Sequence, residues 1–400
     1  MAREKATVKV LYISPYPPVH DGIGDYTAIL ASAVRGAGND FNVVVPFAGP
    51  NDRPEVVGAV AAAGLKGSKL QSAIAARKPD VVHVQFAVAA FGSHTMWLMR
   101  LIGVIRNKLQ IPVVVTLHEA TRELSTLRTV GMLIHRWIAK NCDQIVVHTD
   151  IAKNTLVEAV GVPRTKITVI PFPGAPRPPA TSTTEELRNR YRLAEAKVLL
   201  AFGFIHVDKG LDDLVEALHI LQGARPRDLD RVRVVIAGTV RPRRGLFRAF
   251  ELRDRLYLAH LLWDVRRTGL AEVVVLTGYV PDGEVAPWFD LADAVVLPYR
   301  RIEQSSVAGL ACSLGVPVLA STTGGLAEQL DSYPWTFPAR APQRLAETLA
   351  EFWAAKSQGS PEVRAPRPVA DLSAVTSLTL DVYCAVVDGN SSETSRVAQT

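Results

Sequence analysis

The stretch KVLLAFGFIHVDKGLDDLVEALHIL, residues 197–221, joins an apolar run, a polar loop and an amphipathic pattern. Residues 198–202 are all apolar, which is typical of a short strand buried on both faces of a parallel sheet. Apolar residues then recur at helical spacing, at Leu211, Leu214, Val215 and Leu218. Gly210, followed by Asp212 and Asp213, marks the helix start. The stretch therefore predicts a strand–loop–helix unit of an α/β fold.

The loop of this unit contains Gly203, His206 and Lys209. In a doubly wound sheet, anionic ligands bind where a loop follows the carboxyl end of a strand and precedes a helix N-terminus. We therefore interpret Lys209 as a candidate phosphate-binding residue. A solvated lysine beside a helix start explains the same residues, because no complete phosphate-loop pattern is present.

Composition places the chain among ordinary globular proteins. Its 400 residues are 48% hydrophobic and 21% charged, which predicts two or three domains with large cores. The net charge of +6 is modest for this length and does not indicate a nucleic-acid partner. The three cysteines, Cys142, Cys312 and Cys384, have no metal-ligand spacing and indicate a reducing, cytoplasmic compartment.

The N-terminal residues pass from a charged start directly into a strand-like run, so we expect no cleavable signal peptide. The apolar run closest to a membrane span, residues 89–105, contains His94 and Arg100 and falls short of roughly 18 uninterrupted residues. We therefore expect a soluble cytoplasmic protein that is at most peripheral to the inner face of the membrane.

The first half alternates strand-like and helical segments. Strands are predicted at 8–14, 41–45, 80–86, 112–117, 144–148 and 167–170, with helical segments that include 98–109 and 126–139. A turn-rich loop with Gly22 and Gly24 follows the first strand, and Asp25 is the predicted cap of the next helix. This alternation indicates a parallel α/β sheet.

The second half repeats the alternation after a segment rich in proline, serine and threonine at 171–184, which predicts a linker. Its strands are predicted at 197–202, 233–237, 273–276, 294–298 and 317–321. We expect two Rossmann-like domains, 1–180 and 185–370, that face each other across a cleft. A last apolar helix at 372–387 stands outside the alternation, and the tail 388–400 is predicted to be disordered.

Candidate functional residues lie in the loops at predicted strand ends, where open α/β sheets bind ligands. In the first half they are Gly22, Gly24, Tyr26, Gln85, Phe86, His118 and Glu119. His118 ends an apolar strand, so we expect its side chain at the sheet edge, although a structural histidine fits the same pattern. His83 lies inside a strand and is interpreted as a core histidine with satisfied hydrogen bonds. Histidine, cysteine and carboxylate residues show no metal-ligand spacing.

The second half offers a second helix start at Ser305 or Ser306, in a helix that Gly315 terminates. Its free backbone amides and hydroxyls can hold a diphosphate together with Lys209. Ordinary helix capping explains this segment equally when it is taken alone.

The order of these features resembles the retaining glycosyltransferases of family four, which have the GT-B fold of two Rossmann-like doubly wound domains. The segments that carry the resemblance are the loop at Gly22, TLHE at His118, FGFIHVDKGLDDLVEA around Lys209, LTGYVPDGEV from Leu276 and LPYRRIEQSSVAGLACSLGVPVLASTTGGLAE at 297–328. The similarity spans most of residues 8–387. It implies that the N-terminal domain takes the acceptor, that the C-terminal domain takes a nucleotide-sugar, and that helix 372–387 crosses back to the first domain.

The resemblance also implies roles for individual residues. His118 and Lys209 are the expected catalytic residues. The expected donor-binding residues are Gly22, Gly203, His206, Lys209, Tyr279, Val280, Glu303, Ser305, Ser306 and Val307. The expected acceptor-binding residues are Gly24, Tyr26, Gln85, Phe86 and Glu119.

The chain departs from the family pattern at three positions. Phe204 stands where the family commonly has arginine, and Ile302 and Leu310 stand where it commonly has two glutamates. His206 and Glu303 are the residues that can substitute. The departures leave the expected fold unchanged but put the identity of the donor in doubt.

We therefore expect a cytoplasmic hexosyltransferase of carbohydrate biosynthesis, retaining and metal-independent, that needs no cofactor besides its nucleotide-sugar co-substrate. Its acceptor is a small molecule, a saccharide or a lipid-linked group. The DxD pair Asp228 and Asp230 lies in an arginine-rich loop, which is a poor context for a metal site. The alternatives are a catalytically silent GT-B partner subunit, and a sugar-nucleotide epimerase or hydrolase on the same fold.

The segment 241–267 combines arginines with bulky apolar residues. Such a helix can lie on an anionic membrane or on another subunit. A surface helix that packs on its own domain is the competing interpretation.

Overall fold

The computed structural model describes residues 7–19, 21–49, 53–61, 68–225, 229–243, 248–367 and 370–397, leaving out the side chains of residue 68 and of residues beyond 389. The chain forms two compact units. Unit 1 comprises Met1–Phe172 and Ala370–Thr400, and unit 2 comprises Pro173–Val369.

Unit 1 contains a sheet of seven strands that pair in parallel in the order β3-β2-β1-β4-β5-β6-β7. The strands are β1 (Lys9–Ile13), β2 (Asp40–Val45), β3 (Val56–Ala59), β4 (Val81–Phe86), β5 (Val113–Leu117), β6 (Gln144–Val147) and β7 (Ile167–Val169). Its first helices are α1 (Gly22–Gly36), α2 (Ser68–Arg77), α3 (Val88–Phe91), α4 (Thr95–Asn107), α5 (Ala120–Leu127), α6 (Thr129–Asn141) and α7 (Asp150–Thr155).

Unit 2 contains a parallel sheet of six strands in the order β10-β9-β8-β11-β12-β13. The strands are β8 (Lys197–Phe202), β9 (Val232–Ala237), β10 (Val274–Leu276), β11 (Ala294–Leu297), β12 (Val318–Ser321) and β13 (Thr336–Phe337). The helices are α8 (Thr184–Arg190), α9 (Leu211–Ala224), α10 (Arg248–Arg267), α11 (Asp282–Leu291), α12 (Ser306–Ser313), α13 (Gly324–Gln329) and α14 (Pro342–Ser357). A last helix, α15 (Leu372–Val397), belongs to unit 1.

Both sheets reverse their winding direction once, which fixes where ligands can bind. In unit 1 the reversal lies between β1 and β4, and in unit 2 it lies between β8 and β11. Ligands of doubly wound sheets bind at this switch point, outside the carboxyl ends of the strands. Strands β4, β5 and β11 are buried along their whole length, as expected for central strands of a parallel sheet that is covered on both faces. The predicted fold class, two doubly wound parallel sheets, is confirmed.

Helix α15 covers unit 1 on the sheet face that also carries α1. Its Val375, Leu380 and Tyr383 are buried in one apolar cluster with Tyr12 of β1 and Leu30 of α1. A late segment of the chain therefore completes the core of the first unit.

Several predicted boundaries were wrong. Strands β3 and β13, which are four and two residues long, were not predicted. Helix α1 begins at Gly22 and is capped by Asp21, whose carboxylate accepts from the backbone N–H groups of Ile23 and Gly24 at 2.9 and 3.3 Å. Asp25, the predicted cap, lies in the first helical turn instead.

Two further corrections concern helices. The single helical segment predicted at 126–139 is divided by Arg128, whose φ of 48° ends α5 before α6 starts. Helix α15 continues to Val397, so residues 388–397 are helical where a disordered tail was predicted. Gly389 lowers helix propensity by about 1 kcal/mol, which the preceding helical turns can tolerate. Residues 398–400 lie outside the described residues.

Two helical stretches, Val88–Asn107 and Leu372–Gly389, are long and apolar enough by composition to cross a membrane. The first is divided by Gly92, which has a φ of 56°, and its Leu98 and Ile102 are fully buried in unit 1. The second contains the buried residues of α15 described above. Core helices of α/β proteins satisfy the same criteria of length and composition.

Candidate active site

One face of the sheet in unit 1 carries a row of buried polar side chains near the strand ends. His83 and Gln85 lie on β4, Thr116 lies on β5, and His118 directly follows β5. Because side chains alternate between the two faces of a strand, these residues share the face that α1 and α15 cover. The alternating residues Val84 and Phe86 belong to the core on the opposite face.

Hydrogen bonds join these side chains in a directed chain. His118 Nε2 lies 2.7 Å from Gln85 Oε1, and Gln85 Nε2 lies 3.3 Å from His83 Nε2. His83 Nε2 is also 2.7 Å from Thr116 Oγ1, and His83 Nδ1 is 2.6 Å from the hydroxyl of Tyr383. The amide oxygen of Gln85 can only accept, so it assigns the proton of neutral His118 to Nε2 and leaves Nδ1 as the acceptor nitrogen.

The same network reaches the last helix. Gln85 and Thr116 both donate to His83 Nε2, so His83 donates from Nδ1 to Tyr383, and Tyr383 donates to the hydroxyl of Tyr12 at 3.2 Å. The prediction that His83 is a core histidine with satisfied hydrogen bonds is confirmed. Sequence analysis did not identify Tyr383 or Thr116, because their partners lie far away along the chain.

Burial keeps these histidines neutral. It lowers the pKa of His83 to about 3 and that of His148 to about 4, and it lowers the pKa of His118 well below its usual range. Nearby His148 adds to the shift at His118. His118 is therefore a neutral group near pH 7, which can exchange hydrogen bonds but does not supply a fixed positive charge.

Aromatic rings surround His118 on this face. The ring of Tyr26, on α1, lies 5.3 Å from those of both His118 and His148 and stacks on Phe172 at 5.2 Å. His148 directly follows β6, and its ring lies 5.0 Å from that of His118. The predicted site residues Tyr26, Gln85 and His118 are thus brought together, and His148 and Phe172 join them without having been predicted.

The other predicted residues of unit 1 differ in their placement. A Cβ at Gly22 would meet no atom within 4 Å, so the backbone at the start of α1 is open. At Gly24 a Cβ would lie 3.2 Å from the backbone of Pro15, so this glycine allows the helix to approach the preceding loop. Glu119 pairs with Arg122 at 2.9 Å. Phe86 is 1% exposed in the core, and only its carbonyl, which accepts from the N–H of His118 at 3.0 Å, faces the site. Its side chain therefore does not fit the predicted acceptor-binding role, because strand alternation turns it to the opposite face.

In unit 2 the loop after β8 has a conformation that requires glycine. Gly210 has a φ of 61°, and a Cβ there would lie 2.0 Å from the carbonyl oxygen of Pro298, which follows β11. A Cβ at Gly238 would lie 2.0 Å from the carbonyl oxygen of Gly203. The loops after β8, β9 and β11 are therefore in direct backbone contact at the switch point.

Lys209 lies at the centre of this arrangement. Its ammonium donates to the hydroxyl of Tyr299 at 2.5 Å and lies 3.9 Å from the centre of that ring. A Cβ at Gly203 would lie 3.9 Å from Lys209 Nζ and 3.8 Å from Val307 Cγ2. The predicted residues Gly203, Lys209 and Val307 are thus brought together, beside the start of α12.

Helix α12 begins as predicted. Ser305 is the N-cap, and its hydroxyl accepts from the N–H of Ala308 at 3.1 Å. Gln329 accepts from the backbone N–H of Ser305 at 2.8 Å. Ser306, the first helical residue, is exposed. The dipole of α12 therefore adds partial positive charge close to Lys209.

Arg300 holds the Lys209 loop in place, which sequence analysis did not predict. Its guanidinium pairs with Asp212 at 2.6 Å and with Asp213 at 2.5 Å, both in the first turn of α9. Its backbone N–H donates to the carbonyl of Asp208 at 2.8 Å. The bond to Asp213 raises the pKa of Arg300 above its ordinary value, so the pairs persist at any physiological pH.

The remaining donor-side residues surround this loop in part. His206 is half-buried, with Nδ1 4.0 Å from the carboxylate of Asp208. Glu303 is buried, whereas Tyr279 is 49% exposed and Val280 packs in the core. The two departures at Ile302 and Leu310 are apolar neighbours of that same core.

Phe204 has a basic neighbour. The guanidinium carbon of Arg241, in the loop after β9, lies 5.6 Å from the centre of the Phe204 ring. A positive charge therefore lies next to the position where the sequence lacks one.

Among the described residues, no group of three or more histidine, cysteine, aspartate or glutamate side chains is arranged to hold a metal ion. Asp228 of the DxD pair lies outside the described residues.

Helix α10 buries one side and exposes another. Leu261 and Val265 are buried, whereas Leu252, Leu256 and Trp263 are 60%, 64% and 55% exposed. The exposed residues recur at helical spacing and therefore form one stripe. Several of the predicted arginines pair within the helix, with Arg255 on Glu251 and Arg267 on Asp264. Residues 244–247 of the predicted segment lie outside the described residues.

Two known relatives share part of the sequence. Mannosylfructose-phosphate synthase of Agrobacterium fabrum is 28% identical over 193 residues, which cover 47% of this chain and 40% of the relative. D-inositol 3-phosphate glycosyltransferase of Thermobispora bispora is 28% identical over 264 residues, which cover 62% of this chain and 55% of the relative. The chain thus spans about half the length of these curated relatives.

Fold and family profiles agree on the relationship. The solved structure of Anabaena HepE in complex with UDP-glucose superposes with a TM-score of 0.68 at 15% identity, covering 97% of this chain and 100% of that one. The profile described as Glycosyltransferase Family 4 matches residues 20–173, and that described as Glycosyl transferases group 1 matches residues 196–354. With one profile on each of its two doubly wound sheets, the chain belongs to the family 4 glycosyltransferases of GT-B fold.

Proposed function

We propose that this protein is an active, retaining and metal-independent glycosyltransferase. It transfers a hexose from a nucleotide-diphosphate sugar, which unit 2 binds, to a hydroxyl group of an acceptor, which unit 1 binds. The reaction needs no resident cofactor, and the cell compartment is the cytoplasm, with which the free thiols of Cys142, Cys312 and Cys384 agree.

The observation that carries this proposal is the convergence of Gly203, Lys209 and the start of α12 at the switch point of unit 2. Gly203 leaves room for the backbone to approach a ligand, and Lys209 supplies a point charge. The first amides of α12 supply oriented donors. A diphosphate has the charge and the acceptor oxygens that match this set. HepE, which has the same fold, is in complex with UDP-glucose.

In the proposed reaction, the bond between the anomeric carbon and the β-phosphate oxygen breaks, and the acceptor oxygen forms the new bond on the same face of the sugar. The acceptor proton passes to the leaving phosphate, so a glycoside and a nucleoside diphosphate are formed. Lys209 and the amides of α12 stabilise the negative charge that grows on the diphosphate. His118, which is neutral and lies at the edge of the sheet in unit 1, contacts the acceptor.

A catalytically silent GT-B subunit is the alternative that Phe204, Ile302 and Leu310 suggest. Arg241 weakens it, because its guanidinium restores positive charge next to Phe204. An epimerase or hydrolase on the same fold differs by its products.

Incubation of the protein with UDP-glucose, GDP-mannose and related donors tests the proposal. Slow release of the nucleoside diphosphate, unchanged by EDTA, is expected, and a candidate polyol acceptor should accelerate it and yield a glycoside of retained configuration. Donor binding without any release supports the silent subunit. Release that acceptors never accelerate indicates a hydrolase, and an isomeric nucleotide-sugar product indicates an epimerase.

A further inference from the structure

His148 is a buried polar residue without a role in the proposed reaction. Its Nδ1 lies 2.9 Å from the carbonyl oxygen of Ile170, and because a carbonyl can only accept, Nδ1 carries the ring proton. Burial lowers the pKa of His148 to about 4, so the ring is neutral near pH 7. Nε2 of this residue is therefore a bare lone-pair acceptor.

Nε2 of His148 is buried and has no hydrogen-bond partner within the part of the chain that the structure describes. The whole residue is only 5% exposed. A buried polar atom without a partner lowers stability, and phenylalanine would pack against the same rings without that penalty. His83, on the same sheet face, has partners for both ring nitrogens. His148 thus differs from its structural neighbour in having one nitrogen available to a ligand.

The surroundings of His148 match a site for a hydroxylated ligand. Its ring lies 5.3 Å from Tyr26, 5.3 Å from Phe172 and 5.0 Å from His118. Ligand sites combine aromatic walls with a few fixed polar groups. His148 and His118 follow the neighbouring strands β6 and β5, at the sheet edge where parallel α/β proteins bind ligands.

We propose that His148 binds a hydroxyl group of a polyhydroxylated acceptor, such as a sugar or a cyclitol, through Nε2. The hydroxyl donates and His148 accepts, while the carbonyl of Ile170 fixes the ring and its tautomer. His148 is thereby a specificity-determining residue of the acceptor side. This inference rests on the proposed function and names the chemical class of the acceptor.

The test measures binding and not turnover. The parent protein is titrated with myo-inositol, D-fructose 6-phosphate and methyl α-mannoside, and the compound that it binds most tightly is used as the probe. The same titrations are made with His148→Phe, His148→Gln and the exposed-histidine control His219→Phe. We expect His148→Phe to bind the probe about tenfold more weakly at a similar thermal midpoint, since one neutral hydrogen bond is lost. His148→Gln, which keeps an acceptor oxygen, should recover part of that loss.

Monodeoxy analogues of the probe identify the hydroxyl. Removing the hydroxyl that donates a hydrogen bond to His148 should weaken binding to the parent protein but not to His148→Phe. Equal binding by parent and His148→Phe, or no binding of any of the three compounds to the parent, overturns the proposal. If His148→Phe does not fold, the ¹⁵N signal of His148 Nε2 in the parent decides, because it must shift when the probe is added.

Donor turnover is followed separately. Release of nucleoside diphosphate without acceptor is measured for the parent protein, and the exposed-histidine control His219→Phe should release it at the parent rate. A protein that binds the probe through His148 but never releases nucleotide leaves this inference standing and removes the proposed transferase activity. A protein that releases nucleotide but binds the probe independently of residue 148 leaves the proposed transferase activity standing and overturns this inference.

Discussion

Replacing Lys209 by alanine tests the donor site most directly. In the folded protein this change removes the hydrogen bond to Tyr299 and the contact with its ring at 3.9 Å. A cation–π contact at a partly exposed site contributes about 0.5–1 kcal/mol, so the variant should remain folded. The backbone contacts of Gly203 and Gly210 do not involve the lysine side chain and should persist.

The expected loss of activity is much larger than this loss of stability. Removing one preorganised donor from a transition-state charge costs on the order of 3 kcal/mol, or about 100-fold or more in rate. The charge on the diphosphate grows as the glycosidic bond breaks, so the loss should appear in kcat more than in KM for the donor. Lys209→Arg should restore only part of the rate, because a planar guanidinium does not replace a point charge in this tight loop.

The chain offers a matched control at the other end of the same strand. Lys197 begins β8, and its ammonium lies 5.1 Å from the centre of the Trp353 ring. Lys197→Ala therefore removes a comparable cation–π contact from unit 2 without touching the switch point. Thermal midpoints and steady-state kinetics with the selected donor are measured for the parent and all three variants. A Lys209→Ala protein with the parent kcat, or one no slower than Lys197→Ala, would refute the donor site in this loop.

Three further predictions follow from the structure. His118→Ala should reduce the rate of sugar transfer roughly 100-fold, as expected when one catalytic hydrogen bond is lost. A lower Tm without any change in the rate of the folded enzyme would assign His118 a structural role. The unfolding free energy should fall as the pH drops from about 6.5 toward 4, by about 1.4 kcal/mol per pH unit for each buried histidine. The reason is that both histidines take up protons in the unfolded chain, whereas in the folded protein His83 and His148, with pKa values of about 3 and about 4, do not. Urea titrations should therefore show a flatter dependence of the unfolding free energy on pH for His148→Phe than for the parent. An unchanged pH dependence contradicts this assignment. Helix α10 should bind the protein to vesicles of acidic lipids at low salt. Leu256→Asp should abolish this binding, whereas the exposed-leucine control Leu378→Asp should not. Failure of the parent protein to sediment with such vesicles excludes the membrane role.

The sequence was most informative where the signal was local. The strand, the loop with Lys209 and the helix after it lie within 28 consecutive residues, 197–224, so propensity and periodicity alone indicate their arrangement. The capping role of Ser305 follows equally from its immediate neighbours. His118 was predicted as a site residue because it ends an apolar strand, and the structure places it among Tyr26 and Gln85.

What the sequence could not show depends on pairs that are distant along the chain. Lys209 and Tyr299 are 90 residues apart, and Arg300 and Asp213 are 87 apart, so nothing local marks either contact. Gly22 and Gly24 were interpreted as residues of a turn-rich loop, yet the capping bonds of Asp21 start α1 at Gly22, so both glycines are helical. The open nitrogen of His148 depends on the carbonyl of Ile170, a backbone group that no sequence pattern identifies.

The bond between His83 and Tyr383 has a consequence for the order of synthesis. The two residues are 300 positions apart, and Tyr12, which Tyr383 also reaches, is 371 positions from it. At ribosomal rates of about 5–20 residues per second, His83 is made roughly 15–60 s before its partner. During that interval unit 2 can be completed, whereas the first-made sheet still lacks the helix that closes its polar face. A chain that stops short of residue 383 would thus leave His83 Nδ1 without the hydroxyl to which it donates, even when unit 2 is complete.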